Sequence, residues 1–311
     1  MTTRLRGVFA PVLTPFKASL EPDVKRFVAH CRWLIDNKAG LAIFGTNSEA
    51  ASLAVAERLT LTDAILEAGI PAARLMPGTG GCSITDATTL TRHAVQSGAS
   101  GALMLPPFFY KGVSDEGLYA YYSEVIERVG DARLKVYLYH IPQVTQVPIT
   151  LNLIAMLRKR YPDTVVGAKD SSGSWDNTKA MIENFAGDGF DVFPASESLL
   201  SKALPLGAAG CISATVNMNP AGIHALFEGW NGAQGAALQA RADVVRAIFQ
   251  AVPMIAAMKR VVAEFSQDPT WGVVRPPLCA LADDAATLVL RNLANAGFDM
   301  PAYPKALTTS P

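Results

Sequence analysis

What most constrains the fold of this chain is a repeated pattern. Short apolar runs that do not alternate with polar residues are each entered from a helix-like stretch through glycine and other small residues. The segments "KAGLAIFGTN" (38–47), "GASGALMLPPF" (98–108) and "GAAGCISATVN" (207–217) share it. Glycine just past a helix end takes the left-handed conformation at little cost, and a run that is apolar throughout suits a strand buried on both faces of a parallel sheet. Comparable runs lie at 8–14, 74–79, 135–141, 165–169 and 191–195, which makes eight before residue 220. Amphipathic stretches separate them. In "TLNLIAMLRKRY" the residues Leu151, Ile154, Ala155 and Leu157 form a helical stripe. Eight alternations of strand and helix predict an α/β fold, a (β/α)8 TIM barrel over residues 1–224, although an open doubly wound sheet satisfies the same alternation. Beyond it, "GAALQARADVVRAIFQ", "IAAMKRVVAEF" and "DAATLVLRNLANAG" are helical patterns with no strand between them. They predict a C-terminal helical extension over 225–311.

Charge narrows the function classes. Lys+Arg and Asp+Glu are both 27, so nothing electrostatic favours nucleic acid or an anionic membrane as partner. Charged residues are only 17% of the chain, which favours burial of surface between subunits. The start, "MTTRLRGVFAPVLTPF", does not read as a signal peptide, and no apolar run reaches the length of about 18 residues that a membrane span needs. Cys31, Cys82, Cys211 and Cys279 are far apart, without metal or CxxC spacing. They read as reduced thiols of a cytoplasmic protein. His30, His93, His140 and His224 share no spacing with acids or cysteines, so no metal site is expected. "PGTGG" (77–81) lacks the rest of a phosphate-loop motif, and the lack of a glycine-rich phosphate turn after the seventh or eighth strand weighs against a phosphate-sugar barrel enzyme.

In a barrel, function belongs at the C-terminal ends of the strands. There "VVGAKDSSGSW" (165–175) carries Lys169 out of an apolar run. Alternation places Val165, Gly167 and Lys169 on one face, with Val166 and Ala168 toward the helices. Tyr139 ends the preceding run, so the two side chains converge on the barrel mouth. A strand-end lysine is ordinarily a solvated charge, and a strand tyrosine is ordinarily a core aromatic. Together they suit a different role. Burial disfavours the charged form of an amine, a neutral amine attacks a ketone to form a Schiff base, and a nearby phenol can relay protons. Thr46 and Asn47, in the turn after the second run, offer donors to a carboxylate, though such a turn is also ordinary helix capping.

Several ordered pieces resemble the dihydrodipicolinate synthase/N-acetylneuraminate lyase family of Schiff-base 2-oxo acid lyases. They are "PVLTPF" (11–16), "GTNSEA" (45–50), "PPFFYKGVSDEGLYAYY" (106–122), "YHIP" (139–142), "GAKDSSG" (167–173), "GCISATVN" (210–217) and "VVRPPL" (273–278). The resemblance implies a barrel with a helical extension, a homotetramer, and no cofactor beyond the covalent Schiff base with substrate. It makes Lys169 the Schiff-base lysine and Tyr139 the proton relay, with Thr46 bonded to it. Thr46 and Asn47 would take the pyruvate carboxylate, and Ile212 and Ala195 would border the substrate.

The departures bear on substrate. Family members that make dihydrodipicolinate usually carry an arginine for the semialdehyde carboxylate where this chain has Val144, which offers no donor fork. Ser48, Gln146 and Ala195 stand where glycines are usual. The tyrosine that completes a proton relay across a subunit interface aligns with Phe109, and the adjacent Tyr110 could replace it through a one-residue shift. The expected activity is therefore a class I aldolase or lyase that joins pyruvate to an aldehyde or reverses that reaction. The alternatives are dihydrodipicolinate synthase itself, a 2-keto-3-deoxy sugar acid dehydratase using the same iminium, and a non-catalytic sensor of 2-oxo acids. Ser171, Ser172, Ser196 and Glu197 lie on loops that could meet substrate hydroxyls, or could simply be solvated.

Overall fold

The computed structural model of the protein describes residues 5–305. The apolar runs form seven parallel strands: β1 (Gly7–Ala10), β2 (Gly40–Leu41), β3 (Ala102–Met104), β4 (Val136–His140), β5 (Val165–Asp170), β6 (Asp191–Pro194) and β7 (Gly210–Ile212). They lie in two ladders, β2–β1–β7 and β3–β4–β5–β6. Both gaps between the ladders are bridged. On one side residues 75–79 run between β2 and β3, where Met76 N donates to Leu41 O at 2.9 Å and Thr79 N to Leu103 O at 2.9 Å. On the other, Ala209 N donates to Val192 O at 3.0 Å. The ring closes as a (β/α)8 barrel whose eighth stave is the irregular segment 75–79.

Local chemistry explains where the strands fall short. The run expected over 8–14 stops at Ala10 because Pro11 has no N–H to extend a ladder. The Asn217 side chain takes over there, donating to Pro11 O at 3.0 Å and accepting from Leu13 N at 3.1 Å. In segment 75–79 the backbones crowd together. A Cβ on Gly78 would sit 2.1 Å from Phe44 O, so only glycine fits there.

One expectation about faces fails. Val136 pairs with Val165, but the next pair is Tyr137 with Gly167, so an irregularity inserts Val166. The extra residue shifts the alternation. Val165 packs outward with the helices, in the cluster that holds Leu138 and Ala168, while Val166 packs against the inner cluster. Gly167 stays inward, where a Cβ would lie 2.5 Å from the Tyr137 ring. Tyr137, Phe193 and Phe9 pack edge to face inside the barrel, with centroids 5.9 and 5.8 Å apart.

The helices follow their capping signals. Asp23 accepts from Arg26 N at the start of the helix Val24–Asp36, and Thr150 caps Leu151–Arg160. In the latter Leu153, Ile154 and Leu157 are buried; Ala155, expected in the stripe, is exposed. After β7 come the helices Pro220–Gly229, Gly235–Gln250, Met254–Ser266 and Asp283–Asn295, with no strand among the described residues. The helix Gly235–Gln250 packs on the turns Glu197–Leu199 and Ala214–Asn217, which follow β6 and β7.

His30 ties the C-terminal segment to this frame. Its ring bonds Asn217 Oδ1 at 3.1 Å through Nε2 and Tyr303 OH at 3.0 Å through Nδ1. Burial pushes its pKa down to about 4, against the opposing hydrogen bond to Asn217. Between about 4 and the ordinary 6.5 the unfolded chain binds a proton that the folded one refuses, so stability falls as pH drops through that window. The expected loss is about 3 kcal/mol by pH 4. In denaturant titrations across pH, His30→Gln should flatten that part of the profile relative to wild type.

Candidate active site

Lys169 and Tyr139 are register partners on β5 and β4, at the C-terminal end of the barrel. Both side chains point inward and each residue is only 2% exposed. Lys169 Nζ donates to Tyr139 OH at 3.2 Å, and the hydroxyls of Tyr139 and Thr46 are 3.0 Å apart. Burial alone raises the Tyr139 phenol, but the Lys169 charge and the bonds to Thr46 and Lys169 outweigh it, and the phenol sits below its ordinary value. The Ser171 hydroxyl adds to this without a hydrogen bond of ordinary geometry.

The turn Thr46–Ser48 is fixed from below. Ser48 is fully buried; its hydroxyl donates to Val12 O and accepts from Gly45 N at 3.2 Å, while Thr14 Oγ1 donates to Ser48 O at 2.8 Å. The residue that replaces a usual glycine thus anchors the turn through its hydroxyl. Glu49 follows at φ 54° and enters a fully buried ion pair with Lys259.

These groups open on a cavity of about 470 Å³ lined by Lys169, Tyr139, Thr46, Asn47, Ile212 and Ala195. A surface depression of about 570 Å³ beside the helix Val24–Asp36 is larger, but its charged Lys25, Arg32 and Glu67 face no reactive array. Tyr110 does not reach the barrel cavity. It is 72% exposed, its ring edge-on to Phe109 at 5.4 Å. Of the loop residues, Ser171 and Ser196 line the cavity. The Ser172 hydroxyl instead accepts from Ser174 N, a local turn contact. Glu197 is not solvated: it is wholly buried and accepts from the hydroxyls of Ser213 and Thr215.

Sequence reasoning missed Arg246, Gln250 and Met254, which line the cavity from the helical extension. The available signal was an arginine on the apolar stripe of its helix, between the buried Ala242 and Phe249. It also missed Asp170, whose carboxylate accepts from Ser172 N at 3.0 Å and Thr178 Oγ1 at 2.5 Å. His140 lies 4.0 Å from Asp170; burial lowers its pKa against the carboxylate's pull. Among the described residues no group of three His, Cys, Asp or Glu is arranged to hold a metal ion.

A family model described as the dihydrodipicolinate synthetase family matches residues 4–296. The chain belongs to this family. It is accordingly a pyruvate-dependent carbon–carbon lyase or synthase. A DapA-like lyase of Chloroflexus aurantiacus is 34% identical over 90% of this chain and 93% of its own. A 4-hydroxy-tetrahydrodipicolinate synthase of Methanococcoides burtonii is 29% identical over 94% and 98%. Among solved structures, dihydrodipicolinate synthase from Agrobacterium tumefaciens superposes with a TM-score of 0.85 at 28% identity, over 93% of this chain and 99% of that one. A prophage protein of the family from E. coli K12, solved with pyruvate, gives 0.85 at 25% identity, over 94% and 99%. At two positions where family members usually differ from this chain, the structure is informative. Gln146 holds φ at 53°, a strained value that glycine would adopt freely. Val144 is 59% exposed and is not part of the cavity wall.

Proposed function

We propose that this lyase cleaves or forms a bond between pyruvate and an aldehyde through an iminium on Lys169. The observation that carries the reading is a buried amine 3.2 Å from a buried phenol, itself 3.0 Å from the Thr46 hydroxyl, at the mouth of the barrel. In the cleavage direction the neutral Lys169 amine attacks C2 of a 4-hydroxy-2-oxo acid and water leaves as the iminium forms. Tyr139, held below its ordinary pKa, gives its proton to that departing hydroxyl at C2, and the phenolate so formed takes the C4 hydroxyl proton. The C3–C4 bond then breaks, its electron pair passing to the iminium nitrogen, and the aldehyde departs. The enamine is protonated at C3 and water releases pyruvate. The Thr46–Asn47 turn holds the C1 carboxylate, with Ile212 and Ala195 as the walls.

Several relatives carry the name 4-hydroxy-tetrahydrodipicolinate synthase, so that reaction is the second reading. The exposed, uncharged Val144 disfavours it in its usual form, since the semialdehyde carboxylate would need a cation from elsewhere in the cavity. A dehydratase would use the same iminium. A pure sensor needs neither the amine nor the phenol. The exposed Phe109 and Tyr110, 73% and 72% accessible, suit burial between subunits of a homotetramer, and the free cysteines suit the cytoplasm.

Incubation with pyruvate followed by borohydride reduction and peptide mapping tests the reading. The expected result is one reduced pyruvyl adduct, on Lys169; saturating pyruvate that leaves Lys169 unmodified sinks it. Turnover of pyruvate with aspartate semialdehyde, compared with a panel of hydroxy-aldehydes, separates synthase from aldolase.

A further inference from the structure

Arg246 is the second cation of the barrel-mouth cavity, and it comes from outside the strands. It lies on the helix Gly235–Gln250 with its side chain 12% exposed. Nη1 donates to Ser213 Oγ at 3.0 Å and stands 3.7 Å from Glu197 Oε2. Nε is sealed from water, and so from any ligand, whereas Nη2 is not sealed and makes no hydrogen bond among the described residues. A guanidinium presents a planar fork matched to a carboxylate.

Glu197 offsets part of the guanidinium charge across 3.7 Å, but the acidic groups nearby also have other partners. One Glu197 oxygen accepts from Ser213 and the other from Thr215. Asp170 is satisfied by Ser172 N and Thr178. An anion entering the cavity therefore meets Arg246 and Lys169, the two cationic side chains in its described wall. Gln250, one turn further along the same helix, adds an amide to that wall. Position 144 supplies no charge and lies outside the wall.

We propose that Arg246 binds a carboxylate at the end of the substrate remote from the keto group. The 2-oxo acid handled here is then a dicarboxylate, and its cleavage gives pyruvate and a carboxylated aldehyde. The cleavage rests on the Schiff-base reading, whereas the contact with Arg246 does not. Atoms balance as in the cleavage above: the C3–C4 electron pair ends as the new C3–H bond, the C4 hydroxyl becomes the aldehyde carbonyl, and the distal carboxylate is a spectator held by the guanidinium.

The test compares 2-oxoglutarate with 2-oxopentanoate, which share a carbon chain and differ in a terminal carboxylate against a methyl. Calorimetry on the full-length wild type should give at least about tenfold tighter binding of the diacid. The preference should fall to about unity in Arg246→Gln and be partly kept in Arg246→Lys. A wild type without preference, or an Arg246→Gln variant that retains it, overturns the proposal. Should Arg246→Gln misfold because Glu197 is left unpaired, the double variant E197Q/R246Q removes both charges and the ratio is read there. Borohydride reduction of the same complexes separates the two readings. A diacid preference with no adduct on Lys169 sinks the Schiff base and leaves Arg246 standing; an adduct without the preference does the reverse.

Discussion

Lys169→Arg is expected to abolish turnover, by about 10⁴-fold or more, and to leave no borohydride-trapped pyruvate adduct. Arginine retains the charge but never presents a neutral nitrogen near neutral pH, so it cannot attack the keto carbon. Loss of a group on which every later step depends removes most of the rate, as for other covalent nucleophiles. Lys169→Met separates chemistry from folding, since it fills similar volume without charge. In that variant Tyr139 loses the cation that works against its burial. Its phenol should rise relative to wild type, with the Thr46 and Ser171 hydroxyls left to oppose burial. Ultraviolet difference titration of wild type and variant reads that shift directly. A Lys169→Arg protein that still turned over and trapped pyruvate would move the reactive amine elsewhere.

The barrel was legible in the sequence because its strands are buried on both faces and so lack polar alternation. β4 and β5 read correctly for that reason, and the convergence of Tyr139 with Lys169 followed from their positions at the strand ends. The inserted Val166 was not legible: a bulge changes which residues share a face without changing composition. Segment 75–79 was expected as an ordinary strand, but Pro77 lacks a donor and Gly78 permits an approach no other residue allows. Glu197 reads from sequence as a solvated loop residue because its partners, Ser213 and Thr215, lie on the loop after the next strand. Arg246 was hidden for a similar reason. It stands more than seventy residues from Lys169 in the chain, and only the docking of its helix on the turns after β6 and β7 brings it to the cavity.

The same dependence of the site on the extension predicts a large stability effect at Lys259. Its Nζ donates to Glu49 and, at 2.7 Å, to Val273 O, and it sits 4.3 Å from the centroid of the Phe16 ring. Arg275 N donates to the other Glu49 oxygen at 2.9 Å. Neither side chain of the Lys259–Glu49 pair has any exposure. Burial pulls Lys259 down to about 8 even against the attraction of Glu49, so desolvation outweighs much of what the pair gains. Lys259→Met should therefore cost about 3–5 kcal/mol, because it leaves Glu49 as an uncompensated buried charge. Glu49→Gln combined with Lys259→Met should recover most of that loss, since the pair itself contributes little beyond what its burial removes. The pH profile gives an independent check. Between about 8 and 10.5 the unfolded chain keeps a lysine proton that the folded chain releases, so this group makes stability rise with pH through that window. The double variant should lack the rise. Glu49 directly follows the turn that carries Thr46, so Lys259→Met should also weaken pyruvate binding at temperatures where the variant is still folded. A single variant as stable as wild type in denaturant titration would mean that water reaches Glu49 and that the pair does not hold the turn.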